Sequence, residues 1–383
     1  MDATSPNTPG PVRVHRPCVT ELRLSAYRSH RGAAFPLAPV TVFAGPSGSG
    51  KSGALEAFDS LVRLCGGDSL GDVFPDPSSC VPERARADAQ GRRGFRIGCT
   101  VDGPEGAVQL DAAIQAEPEL RIVGERLTAG GRTLLSTALR DPGRRTVQAA
   151  WHTAGSVPVT RVPLPDDRLG TALLPLRVAG RTDGEREVLA AVEQVVVALR
   201  SVFPCDPRPS SMRAPVPVGK GRLLRDCSNV ADVLRRIREE FPMRHAALVS
   251  ALGAGCAGRV DDIRVEDLAD GSVRALLDRG PLGATPAGRL GSGELRYLGL
   301  ALVLLTGPGV LSMEPAAEVL PARQALTLLA DGFDRSLDAR QVRELLAVAV
   351  RMGARGHVRL VGAAHDGSAA AAVDGVSVVD LRP

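Results

Sequence analysis

Gly45-Pro46-Ser47-Gly48-Ser49-Gly50-Lys51-Ser52 fits the phosphate-binding loop (P-loop) pattern G-x-x-x-x-G-K-[ST] over its whole length. An apolar run, Val40-Thr41-Val42-Phe43-Ala44, feeds it. After it, Leu55, Phe58, Leu61, Val62 and Leu64 recur on one helical face. Strand, glycine loop and helix are the context in which such a loop cradles phosphates. The chain holds 47 lysines and arginines, and only Lys51 and Lys220 are lysines. A compact ammonium reaches the β- and γ-phosphates where a planar guanidinium fits poorly, so one of two lysines has been placed where its chemistry is needed. The glycines let successive N–H groups turn inward as an anion nest, and the positive end of the helix dipole adds to it. The Ser52 hydroxyl is a ligand for Mg²⁺ in such a site. Residues 45–52 are therefore read as a nucleotide-binding loop.

At 383 residues the chain is long enough for one large α/β domain with insertions or for two domains. Hydrophobic residues make up 44% and charged residues 23%, the balance of a globular chain. Aromatics are only 3%, so the core is expected to be built from Leu, Val and Ala. A net charge of +4 with no distinct arginine cluster does not by itself indicate nucleic acid. Seven scattered cysteines without a C-x-x-C argue for reduced thiols in a cytoplasmic setting, not for disulfides or zinc. No secretory signal is visible, and the longest apolar run, 298–305, is too short to span a bilayer, so no membrane insertion is expected.

Residues 1–17 are Pro-rich and polar and are expected to be disordered. Two strands, 18–24 and 40–44, precede the loop, and the helix after it is expected to end near Gly66-Gly67. Between 93 and about 160 the pattern becomes short β runs (94–101, 107–114, 120–127, 133–138 and 146–152), with a hairpin signal at Gly130-Gly131. An apolar face over 184–203 predicts a helix, five prolines in 204–221 mark a connector, and Asn229 is a good N-cap for a helix over 230–240. A further helix is predicted over 242–252, with strands and turns over 258–287. The last third alternates helix 293–305, strands near 310–313 and 326–330, helix 338–352, and strands 357–363 and 376–381. The fold class is thus α/β: a P-loop NTPase core from 18–67 and 286–383, with an antiparallel meander and helical insert, 68–285, as a lid or docking region.

Three later segments narrow the reaction. Leu290-Gly291-Ser292-Gly293-Glu294 opens an apolar helix, and small residues there present free N–H groups to an anion; taken alone, a Ser/Gly helix cap accounts for them better. The run 325–330 ends at Asp331, where a Mg²⁺-holding carboxylate belongs, and Arg335-Ser336-Leu337-Asp338 follows. The strand 358–361 runs into Gly362-Ala363-Ala364-His365-Asp366, and a histidine past a strand end can polarise a γ-phosphate.

Taken in order, these segments resemble the ATP-binding-cassette type of ATPase, in particular the soluble SMC/RecF-like group of AAA-family ATP-binding proteins. The resemblance covers 18–65 and 285–383 and, loosely, stretches of the insert at 224–234 and Glu125. It implies ATP and Mg²⁺ as ligands, with ATP held on 45–52. It implies a signature loop at 290–294 whose Gly291, Ser292, Gly293 and Glu294 contact the ATP of a partner subunit. It implies a Walker B strand at 325–331 with Asp331 on Mg²⁺ beside Ser52, a D-loop at 335–338 and a switch histidine at His365.

The chain departs from that pattern. Gly291 stands where the family has Ser, and Gly332 stands where its catalytic glutamate follows the Walker B aspartate. A rival register, Val310-Leu311-Ser312-Met313-Glu314-Pro315, offers Glu314 as the catalytic carboxylate but has Met313 in place of the metal-binding acid. Each register lacks one acid; the downstream spacing favours Asp331, and both strands contribute if they lie side by side. No glutamine loop can be placed. The leading expectation is an ATP-dimerised switch, a homodimer in the presence of ATP, with slow or absent hydrolysis. The alternative is an active ATPase coupled to DNA or a protein partner, as in repair or phage defence. A small-molecule kinase lacks an acceptor base and leaves the later motifs unexplained. A transporter's ATPase subunit fits the large insert poorly.

Overall fold

The computed structural model describes residues 15–153, 159–313 and 324–381. The chain enters through β1 (Cys18–Tyr27), β2 (His30–Pro36) and β3 (Val40–Ala44), then the glycine loop and α1 (Lys51–Gly66). A short turn of helix, α2 (Leu70–Val73), leads to β4 (Arg93–Asp102), β5 (Val108–Glu117), β6 (Arg121–Ala129), β7 (Arg132–Ala138), β8 (Thr146–His152) and β9 (Val159–Pro165). After these come α3 (Gly170–Leu173), α4 (Asp183–Arg200), β10 (Val202–Pro204), α5 (Pro209–Met212) and β11 (Val216–Pro217). The helices α6 (Val230–Glu240) and α7 (Pro242–Gly255) precede β12 (Asp262–Asp267), β13 (Ser272–Asp278) and β14 (Ala284–Pro286). The last part is α8 (Ser292–Thr306), β15 (Leu326–Ala330), α9 (Ala339–Ala354), β16 (Val358–Ala364), α10 (Ser368–Ala371) and β17 (Ser377–Asp380).

Two sheets dominate. A five-stranded sheet runs β10-β15-β16-β3-β17, and every pairing in it is parallel. Its β3 and β15 are buried at every position, as strands covered on both faces must be. Side-chain alternation then splits the interior in two. Phe43, Leu329, Val361 and Ala363 face a core shared with α1, α4 and the antiparallel sheet. Val40, Val42, Leu328 and Leu360 face a core shared with α6 to α9. The second sheet has eight strands in the order β2-β1-β4-β5-β6-β7-β8-β9, all antiparallel. Phe95, Ile97, Cys99 and Val101 alternate onto its inner face. A small sheet of β11 to β14 packs beside α6.

The sheets do not follow the expected cut between core and insert. β1 and β2, placed with the nucleotide core, pair with the meander, whereas β10, placed with the insert, pairs with β15. Three strands stand where two were expected before the loop, because β2 carries one strong inward apolar residue, Phe35, and little alternation. β9 and β10 were not anticipated; both hold prolines, which edge strands tolerate. The strand expected near 310–313 is instead a turn of 3₁₀ helix, Pro308–Val310, followed by a single bridge from Leu311 to Leu223. It does not join the parallel sheet. Residues 1–14 of the expected disordered lead-in lie outside the described residues.

Candidate functional site

Parallel pairing brings the carboxyl ends of β3, β16, β15 and β10 to one edge, where open α/β sheets bind ligands. Ala44 lies opposite Ala364, and Ala330 opposite Gly362. Pairing thus gathers the loop at 45–52, His365, Asp331 and the Cys205-Asp206 turn along that edge.

The loop is folded on its own lysine. Lys51 Nζ donates to the carbonyls of Gly45 at 2.6 Å and Pro46 at 2.8 Å, so the third N–H of the ammonium is left for a ligand. The α1 helix opens at Gly50 in a left-handed conformation, and no side chain caps it. Its first-turn N–H groups therefore have no intrahelical partner, which makes them donors for an anion. Ser49 Oγ is buried without a hydrogen-bond partner. These unspent donors fit a polyphosphate.

The β1–β2 turn closes over the loop, which sequence reasoning missed. His30 Nε2 lies 3.0 Å from the Gly50 carbonyl, and Arg28 pairs with Glu56 on α1 at 2.5 Å. Ala26 and Arg28 both hold left-handed backbone with φ near 50°, local strain of the kind kept at functional sites. The only sequence signal is a polar break, Arg28-Ser29-His30-Arg31, and nothing local says that it folds onto residue 50.

Ser52 and Asp331 line one pocket of about 250 Å³, with Glu56, Asp59, Asp206 and Arg225. Burial pushes the Glu56 carboxyl above its ordinary value; Arg28 opposes this and the Asp331 charge adds to it. Burial also raises the Asp59 carboxyl, against the pull of Arg225 and Arg63. Among the described residues no group of three or more His, Cys, Asp or Glu could hold a metal by itself. Mg²⁺ is ordinarily held by one or two protein groups plus phosphate oxygens and waters, and Ser52 with Asp331 is a donor set of that kind. Asp206, at the end of β10, was not singled out from sequence, because its place beside Asp331 depends on β10 joining the sheet.

His365 is exposed and lines a second pocket, of about 720 Å³, with Gly45, Pro46, Asp366 and Ser368. Its backbone N–H donates to Asp334 Oδ2 at 2.8 Å, so Asp334, another residue not singled out, sits at this strand end. Hydrogen bonds from Ser368 hold the exposed Asp366 carboxyl below its ordinary value. Gly332, the residue after Asp331, has φ of +56°. Glu314, the alternative carboxylate, lies outside the described residues.

Gly291–Glu294 line neither pocket. Gly291 is the N-cap of α8, its N–H donates to Glu294 Oε2 at 3.1 Å, and Arg279 binds Glu294 Oε1 at 2.7 Å. Arg213 donates to Ser292 Oγ at 3.2 Å. A Cβ on Gly293 would stand 2.5 Å from the Ser336 carbonyl oxygen, so the glycine lets α8 abut the segment after β15. Within one chain, then, this segment belongs to neither pocket, and Glu294 is engaged by its own N-cap and by Arg279.

No protein-family model matches the chain, and no curated protein matches it in sequence. Solved structures do. An Smc head bound to the C-terminal winged-helix domain of ScpA is 12% identical, with a TM-score of 0.49 over 93% of each chain. The chain is similar in outline to SMC heads. The SMC head domain of Thermotoga maritima is 13% identical, TM-score 0.44, over 93% of this chain and 92% of that one. The Smc head of Pyrococcus furiosus with an extended coiled coil, bound to the C-terminal domain of ScpA, is 11% identical, TM-score 0.46, over 96% and 94%. At such values the chemistry has to come from the residues themselves. No described helix is long and apolar enough to cross a membrane.

Proposed function

We propose that this chain binds Mg-ATP and acts as an ATP-dimerised switch that hydrolyses ATP slowly or not at all. The observation that carries the reading is the pairing of Ser52 with Asp331 in one pocket below the Lys51 loop, while glycine occupies the position after Asp331. Lys51 and the first-turn N–H groups of α1 bind and orient the phosphates. Ser52 and Asp331 would hold Mg²⁺, which neutralises phosphate charge when bound. With glycine at 332 there is no carboxylate at the position from which the family orients water, which favours holding ATP over cleaving it. Gly291–Glu294 line neither pocket of their own chain, which supports a role for them at the nucleotide of a second copy.

A second reading, an active ATPase coupled to DNA or a protein effector, is favoured by Asp334, a carboxylate beside His365 that could orient water in place of residue 332. One experiment tests both: binding, turnover and molar mass with saturating Mg-ATP. The parent chain is expected to bind and dimerise, and Lys51→Ala to lose affinity roughly ten- to hundredfold, as for a charge-assisted hydrogen bond. A chain that stays monomeric while ATP is bound is not a dimerising switch. Turnover abolished by Asp334→Asn or Glu314→Gln would make the active ATPase the correct reading. No binding at all overturns both.

A further inference from the structure

Arg296, at the start of the second turn of α8, is 2% exposed. A guanidinium is costly to bury unless it is paired and hydrogen-bonded. Here Nη1 donates to Asp206 Oδ1 at 3.0 Å and to the Pro207 carbonyl at 2.7 Å, and Nη2 donates to the Gly332 carbonyl at 3.0 Å. Nε is buried without a partner. An arginine on one helix thus clamps the turns that follow two neighbouring strands, β10 and β15. Those turns carry Asp206 and Asp331, both of which line the pocket with Ser52. A helix face packed on a core needs no cation there, since Leu295, Leu298 and Leu302 of the same helix are buried without one.

We infer that Arg296 is a positioning residue that couples α8 to the metal side of the nucleotide pocket in the same chain, an inference that rests on the Mg-ATP reading. The front of α8 is tied to Arg279 through Glu294 and abuts Ser336 through Gly293. A shift of that front on meeting a second copy carries Arg296 with it. Asp206 and the turn after Asp331 then move relative to Ser52. The planar fork of arginine makes this a geometric link between two loops, beyond what a point charge supplies.

The test measures ATP affinity of the full-length chain by equilibrium dialysis, once in excess EDTA and once in saturating Mg²⁺. Arg296→Met is expected to leave the EDTA affinity unchanged and to lose about tenfold of the gain from Mg²⁺, as supporting residues of a metal site do. Tyr297→Phe, a change on α8 that removes the hydroxyl's bond to the Ala251 carbonyl of α7, is expected to keep the whole gain. Arg296→Lys, which keeps the buried charge but cannot span the Pro207 and Gly332 carbonyls with one planar fork, is expected to show the same selective loss. It decides the matter if Arg296→Met does not fold. Full retention of the Mg²⁺ gain in Arg296→Met, or in Arg296→Lys where that variant decides, overturns the coupling. So does an equal loss in Tyr297→Phe, which would reduce Arg296 to helix stability. A parent chain that binds no ATP in either condition overturns the Mg-ATP reading and the coupling together. A parent that gains from Mg²⁺ beside an Arg296→Met that gains equally overturns the coupling alone.

Discussion

Position 332 shows how one residue sets what the pocket can do. Its backbone is left-handed, its carbonyl is held by Arg296, and a Cβ there would lie 3.0 Å from Arg335 Nη2. An L side chain in this conformation costs about 1 kcal/mol or more. Placing a carboxylate at 332 is therefore not a neutral change. Gly332→Glu and Gly332→Ala are both expected to lower the unfolding midpoint, by similar amounts, since the cost lies in the backbone. A denaturant titration checks this, and a Gly332→Glu chain as stable as the parent would show that the turn adopts another conformation at no cost. Lys51 makes the complementary case: its two bonds to carbonyls of its own loop shape the loop while one donor stays unspent.

At the scale of elements, α8 and α9 are fixed to each other by small features at their first turns. Asp338 caps α9 by accepting from the Gln341 N–H at 2.8 Å, and Gln341 Oε1 accepts from the Asp338 N–H at 3.2 Å. Asp338→Ala is expected to cost about 1 kcal/mol, read as a lower thermal midpoint. Gly293→Ala places a methyl group against backbone, not against a side chain that can swing away. The expected loss is about 1–3 kcal/mol, as for other overpacked sites, together with a weaker ATP-dependent dimer. Wild-type stability and dimerisation in Gly293→Ala would mean that α8 does not bear on the 334–338 segment in solution. The 335–338 segment thus serves as a helix cap and a packing surface.

For the whole molecule, the parallel sheet separates two cores, and the antiparallel sheet supplies one wall of the first. The cysteines follow that partition. All seven are free thiols; Cys18 is half-buried, and the other six are buried in one core or the other. Burial pushes the Cys99 and Cys256 thiols up to about 12, so neither is a thiolate at neutral pH. A thiol reagent is expected to modify at most one cysteine in the native chain and all seven after unfolding. Rapid modification of several in the native chain would show that one of the cores opens readily.

Local pattern was enough for much of this. The octapeptide at 45–52, the helix after it, the β runs of the meander and the amphipathic helices at 184–203 and 230–240 were legible because each is encoded by neighbours within a few residues. Strand pairing was not legible, because it joins residues hundreds of positions apart. That pairing put β10 at the edge of the parallel sheet and β1 and β2 in the antiparallel one. It left 310–313 outside the parallel sheet and set Asp331 two strands from β3. It also brought Arg28 and His30 to the loop, and Asp206, Asp334 and Arg296 to the ends of β10, β16 and β15. The sequence by itself determined a glycine-rich loop between a strand and a helix, since three-dimensional contacts are not needed to specify it. Only the tertiary structure decided which carboxylates face that loop, because their positions depend on strand order and on one buried arginine's reach between two turns.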